Sequence, residues 1–368
     1  MTAYSRLIAA LFRTPSSAAH AQAWDLFAHM RYVAHPQPDA YLFTQMIHAC
    51  AQPTPAEPER ALDLFTEMTV DRRIAPTAGA YNAVILACAR SGAKAYVNEA
   101  FRLAKEMLDA HRDARGRSAF RPDSRTFAAL LEGAKRIGDL GRARWILAEM
   151  VEAARTNDDV VIDERILTHV FHAYAAYRPP FKRSMTRLVD EAIPIEEAAS
   201  SSSSSSSSEP VEASSSQAPS FAHLPPQSRA EVIGEARALF SRISPQSRGT
   251  SDTTTTELPT FPDVRLTPRL LNAYLSVFYT HASLETAHET FNTIFAQQGL
   301  QKNAQTLVEA LECCARQHHK HKHSTSATAI LRKFADEAWT EFVPTMLENA
   351  SARHIQRAYA ARIRILAL

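Results

Sequence analysis

The residues able to do chemistry are thinly spread along this chain, and few of them gather. The densest group is Gln317-His318-His319-Lys320-His321-Lys322-His323. A metal site there would need ligands spaced to converge on one ion, and the interleaved lysines repel a cation. The run reads instead as a solvated basic loop between two helices, able to touch phosphate. Cys50, Cys88, Cys313 and Cys314 form no Cys-x-x-Cys pair, so neither a zinc ribbon nor a disulfide framework is indicated. Asp109, Asp113, Asp158 and Asp159 fall in loops of different segments and lack the shared motif of a metal-dependent nuclease. Phosphate-loop, dinucleotide, zinc-protease and nucleophile-elbow signatures are absent. No catalysis, metal or cofactor is expected. What does recur is one position, occupied by Ser5, Thr44, Asn82, Thr168 and Asn272, and by Ala128 and Val308 in two further copies. A short polar side chain on a packed helix is rigid enough to distinguish hydrogen-bond donors from acceptors.

The elements that hold this position follow from the pattern around it. Each copy reads as an aromatic residue or Leu, the small residue, one free position, then two apolar residues. Examples are Tyr4-Ser5-x-Leu7-Ile8, Phe43-Thr44-x-Met46-Ile47, Tyr81-Asn82-x-Val84-Ile85 and Phe127-Ala128-x-Leu130-Leu131. Roughly twenty residues later comes a second pattern, Ala with apolar residues at +3, +4 and +7. It appears as Ala23-Leu26-Phe27-Met30, Ala61-Leu64-Phe65-Met68, Ala100-Leu103-Ala104-Met107, Ala143-Ile146-Leu147-Met150 and Ala236-Leu239-Phe240-Ile243. Looser copies start at Ala287 and Ala335. Offsets of 0, 3, 4 and 7 mark one stripe of an α-helix, and the Ala lets a neighbouring helix come close. Each repeat is therefore a pair of helices. Pro38-Asp39, Pro76-Thr77 and Pro122-Asp123 end one segment and cap the next. Ser91-Gly92 and Gly138-Asp139-Leu140-Gly141 stop first helices.

Spacing and composition set the organisation. The Ala-to-Ala intervals are 38, 39, 43, 93, 51 and 48 residues, so the excess over one helix pair lies in insertions. The largest holds nine consecutive serines, Ser200–Ser208, and is too polar to offset its ordering entropy. The expected architecture is all-α, an α-solenoid of about seven helix-turn-helix repeats with a long disordered Ser-rich insertion. In order, this gives helical repeats over 1–178 (four full pairs plus a first helix), the insertion over 179–228 and the second helix of the interrupted repeat at 229–244. A Thr/Pro-rich linker follows at 245–263, two degenerate repeats at 264–343, and a basic-apolar helix without a partner, or an incomplete repeat, at 344–368. Only 9 glycines in 368 residues agree with helices rather than hairpins. No apolar run approaches the ~18 residues of a membrane helix. The net charge of +2 hides an asymmetry. Residues 189–263 hold 4 Lys/Arg and 11 Asp/Glu, leaving 37 basic against 28 acidic residues, or +9, elsewhere. The repeats are the basic part.

Tyr81-Asn82-x-Val84-Ile85, followed by Gly92, Glu99-Ala100, Glu106-Met107 and Pro122-Asp123, resembles a pentatricopeptide repeat. The copies at 38–77 and 122–163 are similar, and none shows the Trp-x-x-Leu-Gly-x-x-Tyr of a tetratricopeptide repeat. The resemblance implies binding of single-stranded RNA, one base per repeat, along a groove lined by the first helices. It also implies that a base is read by the small polar residue together with the last residue of its repeat. Those pairs here are Ser5/Asp39, Thr44/Thr77, Asn82/Asp123, Ala128/Asp163 and Asn272/Asn303. By the family's rule Asn82/Asp123 favours uridine, Ser5/Asp39 a purine (guanine first), and Asn272/Asn303 a pyrimidine. Ala128, Thr168 in the interrupted repeat, and Val308 depart from the pattern, and Thr44/Thr77 is unassigned. Arg125, Arg165 and Arg269 begin three consecutive first helices. They are either stacking partners for bases or plain solubilising charge.

The family resemblance implies an RNA-binding adaptor in the mitochondrial matrix, acting on transcript stability, processing or translation. The alternative from a different class is a scaffold, such as a component associated with the mitochondrial ribosome. The first 24 residues carry Arg6 and Arg13 with no acidic residue, as a mitochondrial presequence would, and the same residues fit a repeat. The chain starting inside a first helix, and its uncapped last helix, fit a fragment of a longer protein as well as a complete one.

Overall fold

The computed structural model describes residues 2–34, 38–53, 55–109, 120–156, 160–180, 225–243, 261, 264–321 and 325–367. Fifteen α-helices and no strand occur among them. They are α1 (Thr2–Arg13), α2 (Ser17–His29), α3 (Ala40–Cys50), α4 (Pro58–Thr66), α5 (Ala78–Arg90), α6 (Lys94–Asp109), α7 (Ser124–Ile137) and α8 (Leu140–Thr156). Then come α9 (Glu164–Ala176), α10 (Arg229–Ser241), α11 (Pro268–His281), α12 (Leu284–Gln297), α13 (Ala304–His321), α14 (Thr325–Asn349) and α15 (Ala352–Leu366).

The odd-numbered helices form one layer, each packed on the next from α1 to α15. The even-numbered helices form the second layer, each against the first helix of its own pair, and α4, α6, α8 and α10 also touch the following first helix. This is an α-solenoid of seven pairs and one further helix. The sequence stripes explain it. Ala23, Ala61, Ala100, Ala143, Ala236 and Ala335 are fully buried, and Phe27, Met68, Met107, Met150, Phe291 and Phe342 fill the space beside them. Each large side chain contributes about 1.5–3 kcal/mol by leaving water. In the first helices the paired apolar residues Met46-Ile47, Val84-Ile85, Leu130-Leu131 and Tyr274-Leu275 are buried between layers. Leu7 differs and is half exposed, because α1 packs only on α2 and α3.

Helix ends follow their punctuation. Asp39, Thr77, Asp123 and Asp163 cap α3, α5, α7 and α9 through side-chain oxygens that accept from N2 or N3 backbone N–H groups. Gly138 ends α7 in the left-handed region, φ +68°. α2 and α4 run on into single π-helical turns, Met30–Ala34 and Glu67–Asp71. Arg31 joins those two turns through an ion pair with Glu67 at 2.5 Å.

The serine tract lies outside the described residues. Its flanks do not: α9 before it and α10 after it pack as one pair, and α11 packs on both. Three readings of the C-terminal half change. Gln317–His321 belong to the end of α13 rather than to a loop, since helix propagation continues past the core residues Cys314 and Ala315. α14 runs through Pro344 to Asn349, so the last helix starts at Ala352 rather than at 344. And α15 has a partner. Ala358, Ala361 and Ile365 are buried, α15 packs on α13 and α14, and Arg357 holds Glu312 with two hydrogen bonds of 2.8 and 2.9 Å.

Candidate nucleic-acid interface

A groove of about 680 Å³ crosses five successive first helices. α1 contributes Ala9, Phe12 and Arg13; α3 Thr44 and His48, with Gln52 just past its end; α5 Gly79, Asn82 and Leu86; α7 Arg125 and Ala128; and α9 Arg165. The recurring small residue lines this groove on three successive first helices, at Thr44, Asn82 and Ala128. Ser5 and Asp39 border a separate recess of about 390 Å³ beside it, with Arg6 and Arg13.

Two of the five expected pairs are joined by hydrogen bonds, and in the same way. Asn82 Nδ2 donates to Asp123 Oδ1 at 3.1 Å, and Thr126 Oγ1 donates to Asn82 Oδ1 at 2.6 Å. Thr126 Oγ1 in turn accepts from the Asp123 backbone N–H at 3.2 Å, completing a capping box. Asp123 and Thr126, at the start of α7, therefore fix one amide on α5. Its Nδ2 must face the carboxylate, which only accepts, and this turns its Oδ1 to the Thr126 hydroxyl, whose oxygen also stands 2.9 Å from Asp123 Oδ1. One amide N–H and one lone pair remain for a ligand. Across the insertion the arrangement returns. Asn272 Nδ2 donates to Asn303 Oδ1 at 3.4 Å, Thr306 Oγ1 to Asn272 Oδ1 at 2.7 Å, and the Asn303 N–H to Thr306 Oγ1 at 3.3 Å. Thr126 and Thr306 are buried at 0 % and 1 % exposure, and Asn272 at 5 % is deeper than Asn82.

The other pairs differ. Thr44 Oγ1 donates back to Ala40 O at 2.7 Å, while Thr77 Oγ1 accepts from Ala80 N–H, so each hydroxyl is engaged with its own helix. Asp163 caps α9 and Ala128 offers it nothing. Thr168 Oγ1 is buried without a partner among the described residues. Arg125 and Arg165 reach the groove and are exposed, and Arg269 is exposed at the second position of α11. The four cysteines are buried free thiols, and burial pushes Cys50 and Cys88 up to about 12, so they are packing residues.

Two features were not singled out in the sequence. One is the threonine of each clasp, whose signal is the shared interval Asp123-x-x-Thr126 and Asn303-x-x-Thr306. The other is a charged cluster between α7 and α9. Glu132 accepts from Arg90 Nε at 3.3 Å and Arg136 Nη2 at 3.1 Å, and Lys135 Nζ donates to His169 Nδ1 at 3.0 Å. Burial raises the Glu132 carboxyl, but the cations Arg90, Arg136 and Lys135 outweigh it and hold the group below its usual range.

The chain is a helical-repeat protein. No family model matches the sequence, and no curated protein matches it. Among solved structures it is similar to the pentatricopeptide repeat protein PPR10 in complex with an 18-nt psaJ RNA element, and to a form of that complex with three cysteines changed to serine. Each is 13 % identical with a TM-score of 0.28, over 98 % of this chain and 51 % of that one. The chain spans about half the length of those structures. Among the described residues no helix of this helical-repeat protein is long and apolar enough to cross a membrane, and no three His, Cys, Asp or Glu side chains gather as a metal site.

Proposed function

We propose that this helical-repeat protein is a single-stranded RNA-binding adaptor without chemistry of its own, holding an organellar transcript in its groove to govern stability, processing or translation. The observation that carries this reading is the Asn82–Asp123–Thr126 clasp, which presents an oriented amide to a groove shared by five first helices. A pyrimidine edge offers the complementary donor and acceptor, and Arg125 and Arg165 supply flat cations beside it. The mitochondrial matrix is the location that goes with this reading. Protein partners, a mitochondrial ribosome among them, would meet the outer face of the second helices, where Tyr32 and Trp145 are exposed.

Filter binding of single-stranded RNA against salt tests the proposal. Expected is preference for uridine-containing strands and a log–log salt slope of about −0.7 per phosphate neutralised. Absence of RNA binding alongside capture of a protein or peptide ligand would replace it with the scaffold reading.

A further inference from the structure

The second-helix layer carries a face that the groove does not use. α2 and α4 each run on into a π-helical turn, Met30–Ala34 and Glu67–Asp71. Such single turns are rare and collect at functional sites. Each carries an outward apolar residue at the same register, nine residues beyond the stripe alanine: Tyr32 beyond Ala23 and Val70 beyond Ala61. Tyr32, its neighbour Val33, and Val70 are 75 %, 72 % and 65 % exposed. In α6 and α8 the same position holds Asp109 and Glu152, the exposed charges expected of a surface that faces water. The apolar residues are thus particular to α2 and α4, and exposed apolar clusters mark contact faces.

Beside them lies a recess of about 670 Å³ lined by Arg31, Asp63, Thr66, Glu67, Asp71 and Arg72. Its own cations are engaged. Arg31 pairs with Glu67 at 2.5 Å and its guanidinium carbon stands 5.2 Å from the Tyr32 ring centroid, while Arg72 reaches the other Glu67 oxygen at 3.5 Å. Asp63 and Asp71 are exposed and make no ion pair among the described residues. Next to them stands Arg73. The exit from α4 closes with Arg72 N–H on Glu67 O and Ile74 N–H on Met68 O, both at 2.9 Å. Arg73, between them, has a φ of +52°, the one positive value at a non-glycine among the described residues. Glycine is favoured at such a stop, because a Cβ crowds the left-handed backbone. Arg73 is exposed and, among the described residues, also without an ion pair, so a free cation is kept here against local strain.

We propose that this face is a two-fold contact between two copies of the chain. Tyr32, Val33 and Val70 pack across the axis, and Arg73 of each copy enters the recess of the other to meet Asp63 and Asp71. Charge points to a second copy as the occupant. The face holds a cation that lacks an anion and, a few residues away, a recess with two anions that lack a cation. It is therefore complementary to itself, as an isologous interface requires. Cation and recess share the short segment 63–73, so one axis beside it forms both pairings at once. Three large apolar side chains from each copy make a contact at the small end of specific interfaces, and a micromolar dimer is expected. The groove belongs to the first helices and stays open, so this inference does not rest on the RNA reading.

Sedimentation velocity of the full chain without nucleic acid, from about 1 to about 200 µM, is the test. Expected is a monomer–dimer equilibrium that weakens as salt is added. Tyr32→Ser, Val70→Asp and Arg73→Gly each weaken it by about tenfold or more. Arg73→Gly also separates contact from fold. It relieves the left-handed strain, so the dilute monomer keeps or raises its unfolding temperature while the dimer is lost. Asp71→Lys and Arg73→Glu each dissociate alone, and an equimolar mixture of the two recovers a dimer through the exchanged charges. A wild type that stays monomeric over the whole range overturns the proposal and leaves the face to a different protein. A dimer that Tyr32→Ser, Val70→Asp and Arg73→Gly all leave unchanged lies elsewhere on the surface and overturns it too. Failure of the mixture to recover the dimer refutes the pairing of Arg73 with the recess.

Discussion

At the scale of single residues, the RNA reading proposed above makes the groove discriminate by orientation rather than by residue type alone. An asparagine amide free to flip presents donor or acceptor equally, so it cannot discriminate. Asp123 and Thr126 remove that freedom together: the carboxylate, which only accepts, draws Asn82 Nδ2, and Thr126 Oγ1 holds its one proton between Asn82 Oδ1 at 2.6 Å and Asp123 Oδ1 at 2.9 Å. Thr126→Val keeps shape and burial but deletes the donor. The expected outcome is a loss of uridine preference at one nucleotide with little change in affinity for a strand lacking uridine there; Thr126→Ser restores the preference. Competition binding with single-base variants measures it, and undiminished preference in Thr126→Val would remove the threonine from the reading unit. Asn82→Ala is expected to relax the same position. Repeat register picked out Asn82 and Asn272, and the family resemblance paired them with Asp123 and Asn303. The threonines were not legible, because each acts across two helices and in the sequence looks like an ordinary member of a helix start.

Helix pairs were legible almost throughout, since periodic burial fixes a helix whatever its neighbours. Helix ends were legible only where glycine or a capping side chain imposes them. Gly138 is such a place: its φ is +68°, and a Cβ would stand 2.9 Å from Ala176 O. Gly138→Ala is expected to destabilise the chain by roughly 1–3 kcal/mol, from left-handed strain plus the contact with α9. Gly234 offers the contrast, lying inside α10, exposed, with nothing within 4 Å of a Cβ. Gly234→Ala is expected to stabilise by about 0.5–1 kcal/mol. Urea unfolding midpoints of the two variants check the opposite signs, and a shift in the same direction for both would contradict the assignment of their backbone environments. Where no such stop exists, the pattern gave poorer boundaries. α13 ran past its core into the His/Lys run and α14 past Pro344, because a helix end set by fading contacts leaves no residue signature.

At the scale of the whole molecule, charge couples the fold to pH. The basic excess of the repeats is visible in the sequence. Its concentration between α7, α9 and α11 is not, because Lys135, His169 and Arg269 are distant in sequence and meet only when the first helices stack across the insertion. Burial, followed by Lys135, pushes His169 down to about 3, and burial followed by Lys135 and Arg269 pushes His172 to about 4. In the unfolded chain both protonate near 6.5. Between those values the unfolded state binds more protons, so folding stability is fully present above about pH 6.5 and drains away as pH falls toward 4. Glu132, also held low, adds a loss of the same sign, but only at the acidic end where free glutamates protonate. The urea midpoint of the unliganded protein is therefore expected to fall from about pH 7 to about pH 5. His172→Gln, which cannot charge, flattens part of that fall. A midpoint independent of pH in this window would show that the two histidines charge as easily in the folded chain as in water. Buried neutral imidazoles beside Lys135 would then be the wrong picture of this face.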